Sequence, residues 1–155
     1  MSFNFDPIVD QIFVGRGPTT ADHIAQMKAA GVTAVLNLQT DQDFLDQGID
    51  WPRLVTAYEQ NDIRIVRMEI IDFDKQDLIE KLPEATAKLA DLIDQGEHVY
   101  VHCTAGKERS PGTVACYLAW HRELGLARAL EIVKSARDCK PFEDALTTAD
   151  QNYFH

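Results

Sequence analysis

The run His102-Cys103-Thr104-Ala105-Gly106-Lys107-Glu108-Arg109-Ser110 sets a thiol and a guanidinium five residues apart, with a glycine between them and a hydroxyl after the arginine. Residues 98–101 before it have the composition of a short buried strand, and residues 111–123 after it read as a helix. A loop that joins a strand to a helix N-terminus gathers backbone N–H groups that converge on an anion. A cysteine at the start of such a loop is a candidate thiolate nucleophile aimed at phosphorus.

Each residue type in the run has a use in that chemistry. A thiol attacks only as its thiolate, and helix N-termini and neighbouring cations favour the thiolate. Arg109 presents a planar fork that holds two phosphoryl oxygens at once, which a lysine does not match. Gly106 permits a backbone conformation closed to other residues and a close approach to the ligand. Residues Thr104, Ala105, Gly106, Lys107 and Glu108 supply the phosphate-binding backbone. Ser110 is placed to hydrogen-bond the sulfur when it leaves in the second step. Pro111 suits a first helical turn, where its missing N–H is no loss. His102 is expected to order the loop from beneath without reacting.

His-Cys-x5-Arg-Ser resembles the signature of the cysteine-dependent protein tyrosine phosphatases, and the size and surroundings resemble their dual-specificity branch. The resemblance implies a covalent thiophosphate intermediate on Cys103 and an Arg109 clamp on the phosphoryl group. Two-step hydrolysis also needs a proton donor for the leaving oxygen, which can later activate water. The family carries this acid on a loop upstream, after another strand. Residues 64–70 alternate and are β-rich, and they lead into Ile71-Asp72-Phe73-Asp74. Asp72 matches the family position of the acid, and Asp74 is the reserve. Asp77 reads as the N-cap of a following turn.

A narrower likeness runs through Asn37-Leu38-Gln39-Thr40-Asp41-Gln42-Asp43, Gly48-Ile49-Asp50, Asp72-Phe73-Asp74, Leu82-Pro83, Tyr117-Leu118-Ala119-Trp120 and Lys134-Ser135-Ala136-Arg137-Asp138-Cys139. These segments are similar to the catalytic domains of plant glucan (starch) phosphatases. Those enzymes bind glucosyl units against aromatic side chains, whose faces stack on sugar C–H groups. Phe73 matches one such position, with Trp51 and Tyr58 as further candidates or as core residues. Glu108 stands where that subgroup has a second glycine, and no second segment resembles a carbohydrate-binding module. The Lys107-Glu108 pair resembles the loops of bacterial and phosphoinositide-type phosphatases. A lysine at the rim favours highly anionic substrates, unless Lys107 and Glu108 neutralise each other. The first reading is a dual-specificity phosphatase acting on phosphotyrosine, phosphoserine and phosphothreonine. The alternative is a glucan, phospho-sugar or phosphoinositide phosphatase, and the last is a non-catalytic phosphate-binding protein.

The elements that must position these groups alternate along the chain. Residues 12–14 and 33–38 read as strands, residues 21–30 and 52–61 as helices, and a long helix is expected to start at Pro83 and end at Gly96. Helices at 127–136 and 143–152 close the chain. The pattern predicts a three-layer α/β domain over residues 1–155, its central, mostly parallel sheet flanked by helices. The resemblance implies the dual-specificity-phosphatase-like version of that architecture. The active loop is expected beyond the carboxyl end of a central strand.

With 25 acidic and 15 basic residues, the formal net charge of −10 argues against nucleic acid or an anionic membrane surface as a partner. No run of 18 apolar residues is present, and the N-terminal residues lack the pattern of a signal peptide. Three sparse cysteines do not make a disulfide framework, and a thiolate nucleophile fits a reducing cytoplasm. Cys116 reads as core, and Cys139 falls in a polar turn. Either is a candidate for a reversible disulfide that shields Cys103, with packing the simpler reading. The five histidines lack ligand spacing, so no metal or other cofactor is expected. The expected partner is a phosphorylated substrate, protein or glucan, bound by a monomer.

Overall fold

Strands of two-residue period give the sheet two buried faces, and each face collects its own helices. The computed structural model describes residues 2–155 and has strands β1 (Phe5–Val9), β2 (Ile12–Gly15), β3 (Ala34–Asn37), β4 (Arg64–Arg67) and β5 (Val99–His102). Their spatial order is β1-β2-β5-β3-β4, with β1 antiparallel on one edge and all other pairs parallel. Ile12, Val14, Ala34, Leu36, Val99 and Val101 point to one face. That face is covered by helices α4 (Lys75–Asp94), α5 (Arg109–His121), α6 (Leu126–Ala136) and α7 (Glu143–Tyr153). Val35 and Tyr100 point the other way, against α1 (Ala21–Ala29) and α3 (Trp51–Gln60). The result is the three-layer arrangement expected from the alternation, with β5 at its centre.

Register brings the candidate chemistry together. Gly15 pairs with His102, His102 with Asn37, and Asn37 with Arg67, so four strands end level at one edge of the sheet. The loops that follow them carry Gly17, Cys103, Gln39 and Asp72. Ligands in open α/β sheets sit beyond the carboxyl ends of the strands, where the connections diverge.

Three elements differ from the sequence expectations. Strand β1 was not anticipated; it carries Pro7, which an edge position tolerates. Helix α2 (Asp41–Gln47) is also new, and a capping box between Thr40 and Asp43 starts it while Gly48 in a left-handed conformation ends it. The long helix begins at Lys75, eight residues before Pro83. Its N-cap is Asp74, whose side chain accepts the Asp77 N–H at 2.9 Å, so Asp77 lies inside the helix. Leu78, Leu82, Ala85, Leu89 and Leu92 form one buried stripe that continues across Pro83. A proline inside a helix costs about 3 kcal/mol. Burying each large apolar side chain contributes roughly 1.5–3 kcal/mol, so the stripe outweighs the proline.

Helix α5 is buried on all sides from Arg109 to Trp120, which fixes its N-terminus firmly beneath the loop. Leu89 of α4 lies fully buried in the same core. Leu89→Ala is expected to lower unfolding stability by about 2–5 kcal/mol in a denaturant titration. Turnover per folded molecule should stay within a few-fold of wild type, since the residue belongs to α4 and to none of the site loops.

Candidate active site

The loop between β5 and α5 has every one of its carbonyls bonded away from its centre. The Cys103 carbonyl meets His102 Nδ1 at 2.9 Å, and the Thr104 carbonyl accepts the Gly17 N–H at 3.0 Å. Arg137 donates to the Ala105 carbonyl through Nη2 at 3.3 Å and to the Gly106 carbonyl through Nε at 2.8 Å. The Lys140 N–H donates to the Lys107 carbonyl at 2.8 Å, and the Gly112 N–H to the Glu108 carbonyl at 3.0 Å. In a trans peptide the N–H points opposite the C=O, so the following amides turn toward the loop interior. Gly106 has a φ of +71°, and a Cβ there would stand 2.5 Å from the Gly15 carbonyl oxygen, so only glycine closes this turn.

Cys103 follows β5 directly and is 3% exposed. Its Sγ lies 3.3 Å from Ser110 Oγ in the first turn of α5. His102 is buried, and burial, reinforced by the charge of Arg109, lowers its pKa to about 4 despite the bond to Cys103. The imidazole is therefore neutral at physiological pH, and its Nδ1–H donates to the Cys103 carbonyl and orders the backbone. Among the described residues its Nε2 has no hydrogen-bond partner.

Arg109 is held on one side and open on the other. Its Nη1 donates to Asp43 Oδ2 at 2.8 Å and to the Ile70 carbonyl at 2.9 Å, while Nη2 donates to Asp43 Oδ1 at 3.1 Å. Three of the five N–H groups are thus used. The edge formed by Nε and the second Nη2 hydrogen makes no hydrogen bond among the described residues, and Asp72 Oδ1 pairs with Nε there at 3.4 Å. Asp43 also accepts from the Thr40 N–H at 2.8 Å, from Thr40 Oγ1 and from Thr104 Oγ1, and Gln39 Nε2 donates to Thr104 Oγ1. A capping residue of α2 is therefore also the counter-charge of Arg109. The sequence reading named neither Asp43 nor Arg137 as a site residue. The only local signal was the Thr-x-x-Asp spacing of a capping box, which says nothing of a partner 66 residues away.

The candidate acids separate. Asp72 Oδ1 lies 3.4 Å from Arg109 Nε, whereas Asp74 is committed to capping α4. Phe73 between them is 73% exposed and has a φ of +60°, a strained conformation for a residue with a side chain. Tyr58 is buried in the core beneath α3, and Trp51 stacks on Phe44 at 4.9 Å with Arg67 over the same Phe44 ring. Neither faces the loop. Lys107 does not neutralise Glu108: its Nζ reaches outward to the carbonyl and carboxylate of Asp138 at 3.2 and 3.3 Å. Glu108 instead lines the cavity with Cys103, Arg109, Asp72 and Phe73. That cavity holds about 80 Å³ and opens beside the Cys103 thiol.

Cys116 and Cys139 are both buried, and burial raises the pKa of each. Cys139 thus lies in the core beneath the 137–140 segment; the polar turn expected from its neighbours is lined inward by this residue. Among the described residues, no group of three or more His, Cys, Asp or Glu is arranged to hold a metal ion, and no helix is long and apolar enough to cross a membrane.

A family model for the dual specificity phosphatase catalytic domain matches residues 12–145. The chain is 31% identical over 149 residues to the chloroplastic phosphoglucan phosphatase LSF1 of Arabidopsis thaliana, covering 96% of this chain and 25% of that protein. It is 32% identical over 151 residues to the amyloplastic phosphoglucan phosphatase DSP4 of Castanea sativa, covering 96% of this chain and 40% of that one. The chain therefore spans well under half the length of these relatives. The crystal structure of Tk-PTP in its active form superposes with a TM-score of 0.76 at 20% identity, over 96% of this chain and 94% of that chain, and so shares the fold.

The Asp43 carboxyl sits below the usual carboxylate range. Burial alone would raise it, but the hydrogen bonds from Arg109 and Thr40 and the charge of Arg109 outweigh burial. A depressed folded-state pKa contributes stability above the unfolded value of about 3.9, and that stability is lost as pH falls through the folded value. Asp43→Ala strands a buried guanidinium and is expected to cost about 3–5 kcal/mol in a denaturant titration at neutral pH. Asp43→Asn should lose less stability than the wild type as pH falls below about 4, which acid-unfolding curves of the two proteins would check.

Proposed function

This chain belongs to the dual specificity phosphatase family, and we propose that it hydrolyses phosphomonoesters in two steps on the 103–110 loop. In the first step the Cys103 thiolate attacks phosphorus, the P–O bond to the leaving group breaks, and protonated Asp72 gives its proton to the leaving oxygen. The product is a thiophosphate on Cys103. In the second step Asp72 takes a proton from water, the water oxygen bonds to phosphorus, and the P–S bond breaks to release inorganic phosphate. Ser110 donates its hydroxyl hydrogen bond to the departing sulfur.

The rest of the loop binds and stabilises. The inward amides and the free edge of Arg109 meet the three nonbridging oxygens, whose charge is spread in the transition state. Asp43 acts through Arg109, holding the guanidinium plane so that its open edge faces the cavity. The observation that carries this reading is the outward bonding of all the loop carbonyls from Cys103 to Glu108, which leaves the opposed amides to bind an anion.

Within this reading phosphoserine, phosphothreonine and phosphotyrosine esters are the first substrates, their phosphoryl group meeting Cys103 and Arg109 in the cavity that Asp72 and Phe73 border. A second reading is a phosphoglucan, and the exposed ring of Phe73 favours it. A flat aromatic face beside the scissile bond stacks on a sugar as readily as on a peptide. The curated relatives named as phosphoglucan phosphatases point the same way.

Phosphate release from a phosphotyrosine peptide, a phosphoserine peptide and amylopectin, measured in parallel, separates these readings. Release from the peptides alone is expected for a phosphoprotein phosphatase. Release from amylopectin at a comparable rate, lost in Phe73→Ala, would put the glucan reading first. Cys103→Ser should abolish release from all three, and any retained turnover would overturn the nucleophile assignment. With an alkyl phosphate, Asp72→Ala should lower kcat by about 10²–10⁴-fold. Asp74→Ala should instead lower stability by about 1 kcal/mol through the lost helix cap, and the reverse ordering of rates would exchange the two roles.

A further inference from the structure

Glu108 is a carboxyl inside the phosphoryl cavity to which the two-step scheme gives no task. Its Oε2 is buried and has no hydrogen-bond partner among the described residues, although the residue as a whole is only half-buried. The groups that face it leave it uncompensated. From the loop itself, Lys107 is turned away to Asp138, and Cys103 reacts as an anion. From the segment before α4, Asp72 adds a second carboxylate. From α5, Arg109 is the one facing cation, but its charge is already matched by the buried Asp43 of α2. A bound phosphomonoester adds a charge of about −1.5 to −2 beside these groups. An ionised Glu108 would repel it, whereas a protonated Glu108 is a hydrogen-bond donor.

Resting on the phosphoryl-transfer reading of the loop, we propose that oxyanion binding is coupled to proton uptake at Glu108, whose carboxyl O–H then donates to a nonbridging oxygen of the bound group. The proton comes from solvent, and none is exchanged with the leaving group or with the attacking water. Burial and the nearby Asp72 raise the proton affinity of Glu108 in the free loop, with Arg109 acting against them. The bound oxyanion raises it further. Affinity for a dianion is then greatest at low pH. It weakens as pH climbs from the free-state pKa of Glu108 to its bound-state pKa, by up to about tenfold per pH unit, and is level on either side.

Sulfate binding to Cys103→Ser tests the coupling without a thiolate that titrates and without turnover. Sulfate stays a dianion over the whole range from about pH 5 to about pH 8, which lies above the ordinary carboxyl pKa of about 4. Calorimetric titrations at constant ionic strength, each in two buffers of different ionisation heat, give the Kd and the number of protons taken up. The expected result is a Kd that weakens severalfold or more across the range, with a proton taken up where it changes. Adding Glu108→Gln should level the Kd and abolish uptake, and adding Glu108→Gly should do the same, which guards against a local folding effect of either change. An unchanged slope in both double variants overturns the proposal and leaves the phosphoryl reading intact. A slope that survives both but disappears with Asp72→Asn moves the proton to Asp72 and also overturns it. No sulfate binding at any pH overturns the phosphoryl reading, and the proposal with it.

Discussion

A trans peptide shows its N–H on one side and its C=O on the other, so a loop that aims its amides inward must find donors for its carbonyls outside. That constraint organises this protein. The carbonyls of Cys103 to Glu108 are bonded by His102, by Gly17 after β2, by Arg137 at the end of α6, by Lys140 beyond it, and by Gly112 of α5. A buried carbonyl left unpaired costs about 1–3 kcal/mol, so the loop shape holds only when these separate segments are in place. Arg137 meets the largest share. It is itself buried and tied to Asp6 of β1 at 3.0 Å, which gives the edge strand a part in shaping a loop at the sheet centre.

The second organising contact is the buried pair of Arg109 and Asp43. Their side chains are 3% and 8% exposed, and taking two charges out of water is favourable only when the remaining hydrogen-bonding capacity is met. It is met here on the Asp43 side, by Thr40 and Thr104, and only in part on the Arg109 side. The unfilled edge of the guanidinium is the one that faces the cavity. Burial thus does two jobs at once: it fixes the plane of the fork and keeps the open edge in a setting where an anion is held more strongly than in water.

The lip of the cavity differs from its floor. The floor is rigid, hydrogen-bonded and lies at the end of a wholly buried helix. The lip carries Phe73 in a left-handed backbone conformation that costs a residue with a side chain of the order of 1–3 kcal/mol. Asp74 on one side caps α4, and Ile71 N–H on the other is held by Asp77 at 2.7 Å, so the strain is imposed by anchored neighbours. An aromatic ring is thereby held in solvent beside the proposed acid, where it meets whatever the phosphate is attached to. Floor and lip divide the proposed chemistry between phosphoryl transfer and choice of substrate.

Much of this was legible in the chain alone. Short apolar runs at residues 12–14 and 33–38 mark buried strands and the helical spacing at 52–61 marks an amphipathic helix, and those elements are where they were expected. The thiol, the glycine turn, the arginine and the hydroxyl lie within one short run, so their order is readable without a fold. Helix α4 was misjudged because proline is a local signal of helix starts, whereas the stripe from Leu78 to Leu92 gains its stability from a core that no local signal describes. The partners of the loop were beyond reach for the same reason. Asp43 reads as an ordinary capping residue and Arg137 as an ordinary end-of-helix arginine until the fold brings them to Arg109 and Gly106, across 66 and 31 residues. The sequence by itself determined the reacting groups and the alternation of elements, because both depend on neighbours along the chain. Only the tertiary structure decided which way the loop carbonyls turn, which edge of Arg109 is open and that Glu108 is left unneutralised, because each depends on a donor or counter-charge delivered from a distant segment.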